Sequence, residues 1–427
     1  ALGPNEAVLQ SASRVHVVDL ERGAVALQFE PNALIEPSFG SLPRVYGTEV
    51  PPDWLLRPAV SGRRVALVVG RTSLGTQEGN ALALVELPAT QRPGRGDDPR
   101  AAAPLASGSV SLTTAAPKLI WALSEDRRIA PSGGAQSVVP DGGLDRGAEF
   151  QPGPLFAGGL LLASVREGES ELSTRLVGLD PRTGRTRWSQ LVCVGAERRN
   201  STRRLQVQRG SAGAATPLLA LGGSVFLGTQ TGAGTLVDAV DGRVRWTVLN
   251  RRRDGDERGW TGRQAVGTPK SVAWAPADSD FLYHLPRGPL PAPPASPFAT
   301  PPAPIDAAFD LAGAVPGPDL VLLADAGSRR ALAVEDLAEG RRFESLHLFP
   351  GEPLRPGAHC GPRGVYVSTD RALYRFDPAR ELLLTHRVPL PALPIADTSR
   401  WQRGGPVHRL GNRLLLLETL QLAIYDL

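Results

Sequence analysis

Apolar residues along the chain come in short bursts bounded by glycine, proline and charge: GGLLLASV over 158–165, GGSVFLGT over 222–229, RGVYVST over 363–369 and NRLLLLET over 412–419. A second, alternating run follows each of them, as RLVGLD, GTLVDAV, RALYRFD or QLAIYD, and in the better copies a third run ends in Leu27, Trp188 or Trp246. Period-two alternation rich in β-branched and aromatic residues, broken by Gly-Gly, Asp-Gly or Thr-Gly, predicts consecutive antiparallel strands joined by hairpins. No run approaches the ~18 apolar residues of a membrane-spanning helix.

The pattern repeats, and its most regular stretch is a turn. VGLDPRTGRTRW over 177–188 and LVDAVDGRVRW over 236–246 both place an acid, a glycine four residues on and a tryptophan four further, and Gly242 follows Gly184 by 58 residues. Fainter copies carry Asp19 with Gly23, Asp336 with Gly340, Asp377, Glu86, His284 in YHLPRG, and Asp426, which makes eight units. The acid ends one strand and accepts backbone N–H bonds in the turn. The glycine supplies a positive φ that other residues resist. The tryptophan then lands on the next strand, where it wedges between neighbouring sheets.

Sheets of about four strands recurring at roughly 40 to 60 residues, each unable to bury both faces alone, predict a β-propeller. The expected fold is therefore all-β: a propeller of four-stranded antiparallel blades, eight by the count of units, with seven as the alternative. It is read as one domain over 1–427, which can be a segment of a longer chain. Two proline-rich stretches, 92–117 and 286–304, exceed the regular spacing and are predicted as loop insertions, because proline removes strand donors. The one outer strand that 286–304 could hide lies around SPFATPP.

Asp-x-x-Thr-Gly-x-x-x-Trp, carried by Asp180, Thr183, Gly184 and Trp188, resembles the repeat of the quinoprotein-like, or pyrroloquinoline-quinone-repeat, propellers. The second copy, Asp238, Asp241, Gly242 and Trp246, departs only at the threonine. The resemblance implies a propeller over nearly the whole chain. It does not select an activity, since that family holds alcohol and glucose dehydrogenases, non-catalytic scaffolds and sensor ectodomains. Its dehydrogenases bind a quinone with calcium in the propeller centre and often pack a disulfide of adjacent cysteines against it. This chain has only Cys193 and Cys360, which are not adjacent and have no metal-ligand spacing; they are read as one disulfide or as two buried thiols.

Composition narrows the chemistry further. Hydrophobic residues make up 41% of 427 positions, with 47 glycines and 40 prolines, which describes a turn-dense globular protein. The net charge is only +4, and all basic residues but Lys118 and Lys270 are arginine, a bias that does not mark a nucleic-acid surface. The clusters Arg198, Arg199, Arg203, Arg204 and Arg251, Arg252, Arg253 read as solvated loop charge. Asp254 with Asp256, and Asp278 with Asp280, are candidate calcium ligands better read as loop solvation. The histidines form no HExxH. His359 beside Cys360 reads as the outer edge of a blade turning into its next strand, and GTQTGAGTL over 228–236 as a hairpin with no following helix.

The reading is thus a non-catalytic binding or scaffold module of the periplasm or cell envelope, presenting loops to a protein partner. It has no catalytic, cofactor-binding or metal residues and no cofactor, contacts no nucleic acid and does not span a membrane. The alternatives are a quinone-dependent dehydrogenase and the sensor domain of a larger signalling protein.

Overall fold

Alternating runs joined by tight turns pair with their sequence neighbours at the lowest loop-closure cost, and the sheets of this chain are built that way. The structure is a computed structural model that describes residues 6–10, 14–20, 24–39, 57–69, 80–89, 116–124, 128–129, 135–136, 148–151, 153–167, 171–196, 218–229, 232–250, 265–267, 270–276, 279, 281–288, 295–297, 303–307, 320–324, 331–336, 341–349, 352, 354, 358–361, 364–377, 380, 382–390, 407–410, 413–417 and 422–426. It is an all-β propeller.

Going along the chain, the first sheet has three strands, Glu6–Gln10, Val15–Asp19 and Ala24–Phe29. The second begins with Ala59–Ser61, Arg64–Val69, Ala81–Glu86 and Lys118–Leu123, and two short strands, Arg128–Ile129 and Ala135–Gln136, extend its outer edge. In the third, Glu149–Phe150 and Leu155–Ala157 share the inner place against Leu160–Glu167, followed by Glu171–Leu179 and Thr186–Ala196. The fourth is Leu219–Leu221, Ser224–Gly228, Ala233–Asp238 and Val244–Leu249; the fifth is Ala265–Gly267, Ser271–Trp274, Phe281–Pro286 and Ala295–Pro297. The sixth is Ala303–Ala307, Leu320–Ala324, Ala331–Asp336 and Arg341–Leu348; the seventh is His359–Gly361, Gly364–Ser368, Ala372–Asp377 and Leu383–Pro389. The eighth has three strands, Val407–Leu410, Arg413–Leu417 and Leu422–Asp426.

Eight or seven blades are therefore not supported. Among the described residues six sheets reach four strands, and the first and eighth have three. The reading of 286–304 as a loop insertion is corrected in part: Ala295–Pro297 pairs with Phe281–Pro286 as the outer strand of its sheet, and Ala303 and Pro304 open the next. Proline is tolerated there because an outer strand needs donors on one side only. Of 92–117, all but the last two residues lie outside the described residues.

No sheet can bury both faces alone, and the apolar faces meet in successive gaps between sheets. Val17, Leu27, Val65 and Leu67 fill the gap from first to second. Leu84, Trp121, Leu161 and Val177 fill the next, and Leu162, Val225 and Val237 the one after. Phe226, Trp246, Trp274 and Tyr283 join the fourth sheet to the fifth through edge-on and tilted rings 5.4–6.0 Å apart. Leu332 with Val365 and Val367, and Tyr366 with Val407 and Leu416, continue the series. Val18 and Leu20 of the first sheet meet Leu415 of the eighth, where Arg413 also donates to the Leu20 carbonyl at 3.0 Å.

A feature that alternation did not predict recurs in five sheets. The pairing of the third and fourth strand positions slips just before the acid, at Val17/Val18, Leu84/Val85, Gly178/Leu179, Leu236/Val237 and Arg375/Phe376. Such a bulge sharpens the local twist and aims the turn that follows. Among the described residues one helix, Pro31–Phe39, interrupts the all-strand order. Proline suits its first position, where no N–H is needed, and buried Ile35 seats it in the gap between the first two sheets.

Candidate functional site

Antiparallel strands divide the propeller into two rims. Turns from first to second and from third to fourth strand share one rim; turns from second to third, and the connections between sheets, share the other. On the first rim lie the repeated turns. Asp180 Oδ1 accepts the Arg182 N–H at 2.8 Å and the Thr183 N–H at 3.3 Å, while its carbonyl takes the Gly184 N–H at 2.8 Å. Thr183 Oγ1 accepts the Arg185 N–H at 3.3 Å. In the second copy Asp238 Oδ1 accepts the Val240 N–H at 3.0 Å and Asp241 Oδ1 the Arg243 N–H at 2.9 Å. Gly184 and Gly242 have φ of 68° and 73°.

An arginine on the outgoing strand closes each turn: Arg187 to Asp180, and Arg245 to Asp238 at 2.9 Å. Hydrogen bonding from Arg187, then from the Arg182 N–H, holds the Asp180 carboxyl below its ordinary range. The Val240 N–H, then Arg245, does the same for Asp238. Both carboxylates are consumed by their own turns.

Each turn also seats a tryptophan from the preceding sheet. Trp121, fully buried, lies on Gly184 and donates its indole N–H to the Pro181 carbonyl at 3.1 Å. Trp188 lies likewise on Gly242, but its indole nitrogen has no partner among the described residues. Trp246, 7% exposed, packs into the next gap against Phe226. The seventh sheet lacks the glycine, and buried Leu382 takes the positive φ, at 59°.

The second rim carries a different device. Thr229 and Thr369 end second strands, and each hydroxyl accepts the N–H of the residue that opens the third, Ala233 or Ala372, at 3.1 Å. Thr369 also donates to Glu352 Oε2 at 3.0 Å, and the Tyr374 hydroxyl donates to the same oxygen at 2.6 Å. Arg387 Nε donates to the Tyr374 oxygen at 3.1 Å, and its Nη2 stands 3.8 Å from Glu352 Oε1. Glu352 belongs to the connection between the sixth and seventh sheets, so the cluster pins that connection to the seventh. Burial alone would raise the Glu352 pKa, but hydrogen bonds from Tyr374 and Thr369 and the charges of Arg387 and Arg371 outweigh it, and the net shift is downward. Burial, then the bond to Glu352, raises Tyr374.

A pH dependence follows. A carboxyl with a depressed folded pKa contributes stability that is fully present above its unfolded pKa, near 4.3, and is lost as pH falls through the folded value. Glu352→Gln is expected to remove that part of the acid destabilisation, so the variant's melting temperature should fall less steeply below about pH 4 than the parent's. Parallel slopes would show that the carboxylate contributes nothing. Tyr374→Phe is expected to cost about 1 to 2 kcal/mol at neutral pH, measured by urea unfolding.

Neither a family model nor a curated protein matches the chain. Solved structures match its fold. The dihydro-heme d1 dehydrogenase NirN, solved in complex with DHE, superposes with a TM-score of 0.51 at 14% identity, over 100% of this chain and 72% of that one. The quinohemoprotein alcohol dehydrogenase of Comamonas testosteroni does so with a TM-score of 0.50 at 12% identity, over 97% and 68%. The chain shares the β-propeller fold of these structures. BamB from Moraxella catarrhalis follows at a TM-score of 0.46 and 14% identity, over 87% and 85%. At such identities the likeness is one of fold.

In this propeller the remaining candidates scatter. His359 and Cys360 stand on the innermost strand of the seventh sheet, not at an outer edge, with the His359 ring stacked 6.0 Å from Tyr366 and Cys360 buried. Cys193 lies on the outer strand of the third sheet, and the two cysteines form no disulfide. Thr229 and Gly232 of the 228–236 stretch join two strands of one hairpin. Asp254, Asp256, Asp278, Asp280 and the arginine clusters at 198–204 and 251–253 lie outside the described residues. Among the described residues no group of three or more His, Cys, Asp or Glu is placed to hold a metal. No helix among them is long and apolar enough to cross a membrane.

Proposed function

We propose that this propeller is a non-catalytic binding module, a single ring over the chain that presents its rim loops to a protein partner in the cell envelope. The observation that carries the reading is the chemistry of the innermost strands. In the second, fourth and fifth sheets they bring Ala59–Ser61, Leu219–Leu221 and Ala265–Gly267 to the middle of the ring without a titratable side chain; those of the third, sixth, seventh and eighth carry Glu149, Asp306, His359 and His408, and among the described residues no three such groups are placed to hold a metal. A quinone site needs carboxylates for calcium and a general base beside the substrate. Asp180 and Asp238 are spent instead on their own turns, and Glu352 on its own loop. The envelope location draws on the resemblance of the repeat, not on the superpositions.

The test is a titration of the purified protein with pyrroloquinoline quinone and calcium, read by absorption and by dye reduction with alcohols and aldoses. No saturable shift of the quinone band and no reduction are expected. A stoichiometric shift with turnover would replace this reading by the quinone-dependent dehydrogenase.

A further inference from the structure

The repeated turns gather charge as well as apolar packing. DPRTGRTRW over 180–188 and DAVDGRVRW over 238–246 hold five arginines against three aspartates. The aspartates face into their turns: Asp180 takes two backbone N–H groups and Arg187, Asp238 takes the Val240 N–H and Arg245, and Asp241 takes the Arg243 N–H. Arg182, Arg185 and Arg243 enter these turns through their backbones alone. All three are exposed, and among the described residues their guanidinium groups have no hydrogen bond or ion pair.

The three groups belong to one surface. Arg185 and Arg243 each stand three residues before a tryptophan, at the same place of the third and fourth sheets. Trp188 bridges them: it follows Arg185 along the outer strand of the third sheet and lies on Gly242, the residue before Arg243. Behind this seam a Cβ on Gly158 would stand 3.0 Å from the Ala239 carbonyl carbon, so the two sheets touch at this rim. The second sheet has Lys118 at the equivalent place, but exposed Glu86 stands directly across the ladder from it. The uncompensated charge is therefore concentrated on the third and fourth sheets. At the tip of the fourth sheet's turn Val240 takes the place of Arg182 and is 60% exposed, and Val244, beside Arg245, is 37% exposed. The turn hydrogen bonds fix the backbone under each guanidinium, which lowers the ordering cost of binding.

We propose that the arginine-rich seam between the outer turns of the third and fourth sheets binds an acidic segment of a partner polypeptide. Guanidinium groups take carboxylates in forked, charge-assisted pairs, and clusters of them are a recurring reader of acidic motifs. Val240 and Val244, exposed among the arginines, offer a place for an apolar side chain of the same segment. Other polyanions fit less well. A bilayer surface gains little from each basic residue and needs many of them, and a nucleic-acid duplex needs a strongly basic face, whereas the two turns are basic by only two charges. The inference rests on the binding-module reading and names the partner's chemistry for it.

A fluorescent peptide of sequence EEVEEVEE serves as the probe. Saturable binding by anisotropy is expected at low salt, with affinity falling several-fold as salt approaches about 0.5 M and screening shortens the reach of exposed charge. Arg185→Glu combined with Arg243→Glu should weaken binding about tenfold, two exposed attractions having been turned to repulsion. Arg14→Glu combined with Arg380→Glu takes the same charge from exposed positions of the first and seventh sheets, and should leave the affinity within about twofold. Absence of saturable binding up to about 1 mM, equal loss in both double variants, equal binding of KKVKKVKK, or tighter binding of phosphatidylglycerol vesicles or duplex DNA than of the peptide would each overturn the proposal. The salt series and the lysine peptide need no altered protein, so misfolding of a variant leaves the test intact. Because the quinone titration reads a different property, failure here leaves the non-catalytic reading to its own test.

Discussion

Trp121→Ala is expected to destabilise the protein by about 3 to 5 kcal/mol, the range for deleting a fully buried tryptophan. The side chain has no exposed surface and sits among Leu84, Leu161 and Val177 in the gap between the second and third sheets. Its removal opens a cavity in that gap and leaves the Pro181 carbonyl without the indole donor. Domains of this kind hold only about 5 to 15 kcal/mol in total, so the loss should appear as a large drop in the urea midpoint. Trp121→Phe and Trp188→Phe separate the two contributions. The first loses ring volume and a hydrogen bond. The second loses ring volume alone, because the Trp188 nitrogen has no partner among the described residues, and it should cost about 1 kcal/mol less. If Trp121→Ala melts within a degree or two of the parent, the tryptophan is not holding the two sheets together.

Trp121 is also where sequence reading ran short. The alternating runs, the acid-to-glycine turn and the tryptophan after it were legible at 177–188 and 236–246, because all three fall within a dozen residues and each has a local physical cause. In the second sheet the closing acid is Glu86 and the outer strand begins only at Lys118, so Trp121 stands too far from its turn to align with the repeat. The fourth strand at Ala295–Pro297 was obscured for another reason: proline argues against an inner strand, but an outer one tolerates it. The bulges leave no compositional trace, since any residue can occupy them. The cluster of Glu352, Thr369, Tyr374 and Arg387 unites four positions with no shared period. Only the fold of the seventh sheet brings them together. The seven acids and His284, by contrast, counted the units but not the strands in each, and among the described residues the first and eighth sheets have three.

Gly242→Ala is expected to cost roughly 2 to 5 kcal/mol, through two effects that can be measured apart. A Cβ at φ 73° meets the steric penalty of the left-handed region, about 1 to 2 kcal/mol. The same atom would lie 2.5 Å from the Trp188 ring, so the ring or the turn must move, an overpacking cost of about 1 to 3 kcal/mol. Gly184→Ala should behave alike, with its Cβ 2.8 Å from Trp121. Gly222 is the control, because its φ is 65° but nothing lies within 4 Å of an added Cβ; Gly222→Ala should show the backbone penalty alone. The decisive measurement is a double-mutant cycle. With Trp188→Ala in place the obstacle to the Gly242 Cβ is gone, and Gly242→Ala should then cost only about what Gly222→Ala does, a coupling of 1 kcal/mol or more. Additive costs would mean that the tryptophan does not rest on the turn, and that glycine is needed there for its backbone alone.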